Sequence, residues 1–160
     1  MRSTLVVALS LLVLVLPAQA ARHAKSSTMT IRLISTTTKY RVLVDRAPKQ
    51  EINKGDVLWA KSILRNAIAQ FGQPKGAIVG SDISTYTVVS ITPGVGDEKV
   101  TATLPGGTLR AAGRVRETRA QTIRVTGGTG MFANASGSGE VRSLNASGDR
   151  TLNVYRLQLP

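Results

Sequence analysis

The sequence has few of the residue types on which metal sites and hydrolytic triads are built. It contains no cysteine among 160 residues, and His23 is the single histidine. The absence of cysteine excludes disulfides and thiolate metal ligands. One histidine near the amino terminus, with no cysteine beside it, argues against a metal cage and against a Ser/His/Asp triad. We therefore expect neither a metal nor a cofactor.

Aromatic and acidic residues are also scarce. Aromatic residues make up 4% of the chain, and 9 acidic residues stand against 21 basic ones. A basic chain attracts nucleic acid, anionic lipid or acidic polymers. The basic residues are spread along the sequence with few aromatics between them, whereas a platform for stacking bases needs those aromatics. We expect no nucleic-acid site and solvated outer strand faces, and adherence to an anionic cell envelope stays open.

The only long apolar run lies at the amino terminus. It extends from Leu5 to Leu16, follows a basic residue, and leads into Ala18-Gln19-Ala20. This order is typical of a secretory signal peptide, and a 12-residue run falls short of the roughly 20 apolar residues that a spanning helix needs. We expect a signal peptide at 1–20, a secreted chain of 140 residues with a net charge of +11, a flexible lead-in at 21–29 and one domain at 30–160. An uncleaved membrane anchor is the alternative.

The rest of the chain reads as a series of short strands. β-Branched and aliphatic residues dominate segments that are separated by glycine, proline and asparagine. Strands are expected at 29–44, 77–92, 99–104, 108–116, 121–126, 139–144 and 151–159. The segment 56–66 fits both a strand and a short helix, because its apolar residues satisfy both periods. Seven or eight short strands without a long amphipathic helix predict a sandwich or a barrel.

Three local patterns refine this reading. Residues 93–97 contain a proline and two glycines and predict a turn. Pro105-Gly106-Gly107 predicts the tight turn of a hairpin. In the closing strand, apolar Leu152 and Val154 alternate with polar Asn153. These patterns set where strands are expected to begin, end and turn.

The most specific motif is a glycine-rich run near the carboxyl terminus. It reads Gly127-Gly128-Thr129-Gly130-Met131-Phe132 and continues as Ala133-Asn134-Ala135-Ser136-Gly137. A phosphate loop would end in G-K-[S/T] and lead into a helix, and this run does neither. Glycines followed by one aromatic indicate a tight reversal whose corner is filled by Phe132. The pattern V-T-G-G-T-G-x-F-x-x-A-x-G resembles the signature of the dirigent proteins and allene oxide cyclases.

The resemblance covers residues 45–159. Gly55 to Ser62 is similar to the G-D-L-V-x-F-x-N strand of the cyclases, Gly76 to Gly80 resembles their next strand start, and Leu104 to Thr108 matches a later hairpin. The resemblance implies an all-β fold, a single small closed antiparallel β-barrel of about eight strands, with 56–66 as a strand. It also implies an apolar lumen that binds a small apolar molecule and steers a cyclisation or coupling without a cofactor, an isomerase-like activity.

The resemblance further implies which side chains face the lumen, because residues of a barrel strand alternate between inside and outside. The residues expected to bind the ligand are Leu58, Ala60, Ser62, Leu64, Ser84 and Tyr86. Asp82 is the candidate catalytic residue, because a carboxylate in an apolar barrel is desolvated, which raises its pKa and suits a general acid or base. The alternative is that Asp82 lies at the rim, bonded to a loop or paired with an arginine.

The family pattern is incomplete in this chain. The cyclases carry a glutamate base in a Y-E-I-N-E-type first strand, whereas residues 31–44 contain no acid. Their asparagine is Ser62 here and their pocket cysteine is Asp82, so allene oxide cyclisation itself is not expected. Outward Trp59 and Ile63 would suit a dimer or trimer of the kind found among these relatives.

Two classes of function stay open. The first is a barrel that steers a reaction, and the second is a non-catalytic extracellular carrier or a basic envelope-associated module. A pocket with several polar groups would favour the first, and a lumen packed solid would favour the second.

Overall fold

Eight antiparallel strands close into a barrel in the computed structural model, which describes residues 26–48, 51–116, 118 and 120–160. The strands are β1 Ser27–Val44, β2 Val57–Asn66, β3 Ile78–Ser90, β4 Val95–Leu104, β5 Gly107–Arg116, β6 Ala120–Gly128, β7 Ser136–Ser143 and β8 Arg150–Leu159. One 3₁₀ turn, Gly130–Phe132, joins β6 to β7. The expected signal peptide, 1–20, and residues 21–25 of the expected lead-in lie outside the described residues.

The barrel follows the simplest connectivity that its short loops allow. Each strand pairs antiparallel with the next strand along the chain, and β1 pairs with β8 to close the ring. Closure leaves few unpaired edges, which is how antiparallel β proteins protect backbone hydrogen-bonding groups. The predicted all-β class and the closed eight-stranded barrel are confirmed. Within the described residues, no helix has the length and apolar content to cross a bilayer.

Two boundaries differ from those expected. Residues 27–29 were expected in the lead-in, but they pair with 157–159 of β8 and belong to the barrel. The turn expected at 93–97 ends at Gly94, because β4 begins at Val95. Gly96 is a strand residue over which the ring of Tyr86 lies, and a Cβ there would be 2.1 Å from Tyr86 Cζ. Gly96 therefore makes room for an aromatic ring rather than for a turn.

The ambiguous segment 56–66 is strand β2, as the family resemblance implied. Ser62, Leu64 and Asn66 are buried on its inner face, while Lys61 and Arg65 are exposed on its outer face. This alternation is the period of two that a strand imposes.

The outer face of β2 also carries Trp59. The guanidinium of Arg41 on β1 lies over the Trp59 ring, 5.6 Å from its centroid. Trp59 therefore points outward, as expected.

The interior is divided into a packed half and an open half. The packed half lies at the end of the barrel that holds the β4–β5 hairpin and the 3₁₀ turn. Its fully buried apolar side chains include Ile31, Leu33, Leu64, Leu109, Ile123, Val125, Phe132 and Leu157. The open half lies at the other end, beneath the β1–β2, β3–β4 and β7–β8 connections. The apolar core of the fold is therefore concentrated away from the mouth of the barrel.

The glycine-rich run closes the packed half. Phe132 is 0% exposed, so the predicted packing of this corner is confirmed. A Cβ at Gly128 would lie 2.0 Å from the carbonyl oxygen of Thr108, and a Cβ at Gly130 would lie 2.0 Å from that of Gly106. Gly130 also has φ of +60°, which favours glycine. The two glycines thus let the turn lie directly on the backbone of the β4–β5 hairpin.

A buried carboxylate organises the loop at the mouth. Asp56 is 2% exposed and accepts hydrogen bonds from the backbone N–H of Arg46 at 2.7 Å and of Asn53 at 2.8 Å. Hydrogen bonds from backbone N–H groups stabilise a buried carboxylate. Asp56 therefore fixes the β1–β2 connection, which carries Ile52 to the rim of the open half.

Candidate functional site

The open half of the barrel contains two chambers that share Gln121 in their walls. The inner chamber has a volume of about 210 Å³. Its polar lining includes Ser35, Ser62, Asp82, Ser84, Glu98, Asn153 and Tyr155. The outer chamber has a volume of about 290 Å³ and lies beneath the β1–β2 and β3–β4 connections. Its lining is mainly apolar and includes Ile52, Leu58, Tyr86, Val88, Ile91 and Val115, with Arg116.

Asp82 lies in the inner chamber. It stands opposite Ser62 of β2 and Ala102 of β4 in the strand register, and it is 6% exposed. Ser35 Oγ donates to Asp82 Oδ2 at 3.1 Å, and the Ser62 hydroxyl is a second hydrogen-bond partner. Burial raises the pKa of the Asp82 carboxyl, and the hydrogen bonds from Ser62 and Ser35 lower it part of the way back. Serine hydroxyls thus hold this carboxyl at the base of the chamber.

Glu98 is a second lumenal carboxyl, which the sequence analysis did not identify. It lies on β4 opposite Tyr86, and its side chain lines the inner chamber. Burial raises the pKa of Glu98, and the negative charge of Asp82 raises it further. Glu98 Oε2 and Gln121 Oε1 are buried without a hydrogen-bond partner among the described residues. Two acceptors with no donor to meet them are uncommon in a folded interior.

Tyr155 forms the wall opposite these acids, and it too went unidentified. It is 2% exposed on β8, and its ring occupies the space over Gly139, where a Cβ would lie 2.8 Å from Tyr155 Cδ1 and Cε1. Burial raises the pKa of the Tyr155 phenol well above its ordinary value, and the charges of Asp82 and Glu98 raise it further. The phenol is therefore neutral at physiological pH and can donate a hydrogen bond.

The remaining predicted site residues divide between the two chambers. Ser62 and Ser84 line the inner chamber, and Leu58 and Tyr86 line the outer one. Leu64 is 1% exposed and belongs to the packed core, and Ala60 is half-buried and lines neither chamber. Ligand binding by these residues stays a prediction.

The expectation of an apolar lumen is wrong for the inner chamber, whose lining is largely polar. On β8, polar Asn153 lines this chamber, whereas apolar Leu152 and Val154 lie on the other face of the strand. The physical reason is that the packed half already supplies the core, so the strand ends at the mouth do not need apolar inner faces.

The arrangement is suited to moving protons beside an apolar surface. Two carboxyls with raised pKa values and one neutral phenol line the same chamber. A carboxyl whose pKa is raised toward neutrality serves as a general acid or base under physiological conditions. The described residues include no group of three or more His, Cys, Asp or Glu side chains that would hold a metal ion.

Solved structures share this fold. A pyocyanin demethylase is 22% identical with a TM-score of 0.63, over 81% of this chain and 99% of that chain. A pterocarpan synthase dirigent protein is 16% identical with a TM-score of 0.65, over 85% of this chain and 86% of that chain. A Diels-Alderase from Streptomyces koyangensis is 16% identical with a TM-score of 0.57, over 83% of this chain and 63% of that chain.

Sequence comparison adds nothing to these structural likenesses, since no family model and no curated protein matches the chain. The identities are low, so the likenesses show the fold alone. The dirigent-type barrel that the glycine-rich run predicted is confirmed at that level.

Proposed function

We propose that this protein binds a small molecule with an apolar body in the open half of its barrel and steers a proton-dependent rearrangement of it, such as a cyclisation or coupling. The observation that carries the proposal is the pair of lumenal carboxyls, Asp82 and Glu98, in a polar chamber that adjoins an apolar one. A closed wall around such groups excludes water and fixes the pose of a bound molecule, which are two ways in which barrels direct reactive intermediates.

Each chamber has its own part in this proposal. The apolar body rests in the outer chamber against Leu58 and Val88, and the reacting end enters the inner chamber. Asp82 is the group that transfers the proton. Hydrogen bonds from Ser35 and Ser62 hold its carboxyl in one orientation. The solved structures with this fold include proteins described as a Diels-Alderase and as a pterocarpan synthase. Their descriptions support a reactive role for a barrel of this shape.

A non-catalytic carrier on the same scaffold is the second candidate. The packed half fills much of the lumen with apolar side chains, which by itself would favour a carrier. The polar groups of the inner chamber favour the reactive role, because a carrier of apolar molecules gains nothing from desolvated carboxyls.

The Asp82→Asn variant tests the reactive role. The amide keeps the shape of the carboxyl but accepts no proton, so we expect turnover to fall by about 10²- to 10⁴-fold while affinity is kept. Turnover is measured as substrate loss and product gain by mass spectrometry, after incubation with a metabolite extract. Ile83→Ala, which changes the adjacent exposed residue, is the control and should leave turnover unchanged. Undiminished turnover in Asp82→Asn would remove the catalytic role, and a loss of affinity alone would make the protein a carrier.

We also propose that the protein acts outside the cell. The proposal rests on the apolar run Leu5 to Leu16 and the cleavage pattern Ala18-Gln19-Ala20. Sequencing the amino terminus of the exported protein should give Ala21 as its first residue. An intact Met1 on a membrane-bound form would contradict the proposal.

A further inference from the structure

The charge of the inner chamber is opposite to that of the protein around it. The chain carries 21 basic and 9 acidic residues, yet the described residues that line the inner chamber include Asp82 and Glu98 and no lysine, arginine or histidine. Among the described residues that line the outer chamber, Arg116 is the one basic residue, and it is exposed. A cavity with low-dielectric walls and one sign of charge concentrates its field inside. The chamber therefore favours a positive group and disfavours a negative one.

Unsatisfied acceptors point in the same direction. Glu98 Oε2 and Gln121 Oε1 are buried and have no donor among the described residues. The two residues lie on β4 and β6, and the intervening β5 presents Gly113, which has no side chain, opposite Glu98. A group that carries several N–H donors would meet both acceptors, whereas a carboxylate would bring only further acceptors.

From this geometry we propose that the inner chamber is a subsite for a protonated amine, so that the ligand is a cation with an apolar body. The ammonium lies against the free acceptors of Glu98 and Gln121, and the apolar body occupies the outer chamber beside Leu58 and Val88. The inference rests on the proposed function and narrows its ligand class. It adds Glu98 as the residue that selects the ligand. Asp82 lies close enough to affect the ionisation of Glu98.

Three probes of one shape test this inference at neutral pH by isothermal titration calorimetry. They are 1-naphthylmethylamine, 1-naphthalenemethanol and 1-naphthoate, which share an aromatic body and differ in the charge of the head. Charge-assisted hydrogen bonds are about twice as strong as neutral ones. We expect the amine to bind at least about tenfold more tightly than the alcohol, and the carboxylate to bind most weakly.

Matched variants locate the preference. Glu98→Gln keeps the shape of the side chain and removes its charge, so the preference for the amine over the alcohol should fall at least about tenfold. Glu140→Gln removes the same charge from the outside of the barrel, where Glu140 Oε2 lies 3.7 Å from Arg156 Nη1. This variant should leave the preference for the amine over the alcohol intact.

The ranking of the three probes on the unaltered protein decides the inference even if Glu98→Gln fails to fold. If the alcohol or the carboxylate binds as tightly as the amine, the cation subsite is wrong while binding in the lumen stands. If Glu140→Gln lowers the preference as much as Glu98→Gln, the preference comes from overall charge and the subsite is wrong. If none of the three probes binds, both this inference and the proposed function fall.

Discussion

The corner of the barrel at Phe132 offers the most direct test of how the fold is held together. The Phe132 side chain is completely buried, and its Cβ lies against the position where Gly128 lacks a side chain, at 2.8 Å from an ideal Cβ there. The Phe132 N–H also donates to the Thr129 carbonyl at 3.1 Å. Phe132→Ala therefore leaves a cavity in the packed half without changing a backbone hydrogen bond.

The expected cost is large relative to the stability of an ordinary domain. Truncation of a buried phenylalanine costs about 3 to 5 kcal/mol, against a total of about 5 to 15 kcal/mol. For a domain of this size the loss corresponds to a fall in Tm of roughly 10 to 20 °C. Urea denaturation followed by circular dichroism gives the free energy of unfolding, and scanning calorimetry gives the Tm.

A neighbouring residue provides the control. Met131 is 45% exposed in the same turn, so Met131→Ala should cost less than about 1 kcal/mol. If Phe132→Ala loses no more stability than Met131→Ala, the packing of this corner does not hold the barrel closed.

Two further predictions concern the lumen. Gly139→Ala places a methyl group against the buried ring of Tyr155 and should cost about 1 to 3 kcal/mol in unfolding free energy, and an unchanged Tm would contradict this packing. Burial raises the pKa values of Asp82 and Glu98 in the folded state. Above about pH 4, where these carboxyls ionise in the unfolded chain, the folded protein therefore binds more protons than the unfolded chain. Their contribution to stability falls as the pH rises from about 4 through the raised pKa values of the folded state. The stability gained by the double variant Asp82→Asn, Glu98→Gln should therefore grow from about pH 4 toward neutrality, and a gain that is constant with pH in denaturation experiments would refute the burial of these charges.

The inner face of β2 and β3 was predictable from the sequence because alternation fixes it. Once 56–66 is a strand, Ser62 must face the same side as Leu64, and the pairing of Ser62 with Asp82 then brings Asp82 inside. The glycine-rich run was informative for a similar reason. Close backbone contacts at Gly128 and Gly130 leave no room for another residue, so the motif encodes local geometry directly.

Glu98 and Tyr155 were missed because their neighbours gave the opposite signal. Gly96 was expected in a turn, but it is a strand residue that accommodates the Tyr86 ring. Because β4 begins at Val95, Glu98 belongs to the strand and lies on its inner face. Alternation from Gly96 through Glu98 to Val100 was the signal that could have revealed it. Tyr155 lies on the same face of β8 as polar Asn153, so the alternation of apolar Leu152 and Val154 gave no signal that this face points inward.

The separation of the packed half from the open half has a consequence for how such a protein changes over time. Substitutions around the mouth, at positions such as Ser84 or Gln121, leave the cluster around Phe132 intact and therefore carry little risk of unfolding. One backbone can then acquire new ligands by altering a few side chains in the two chambers. A library restricted to those positions is the natural starting point for directed evolution of this barrel toward substrates of chosen shape and charge.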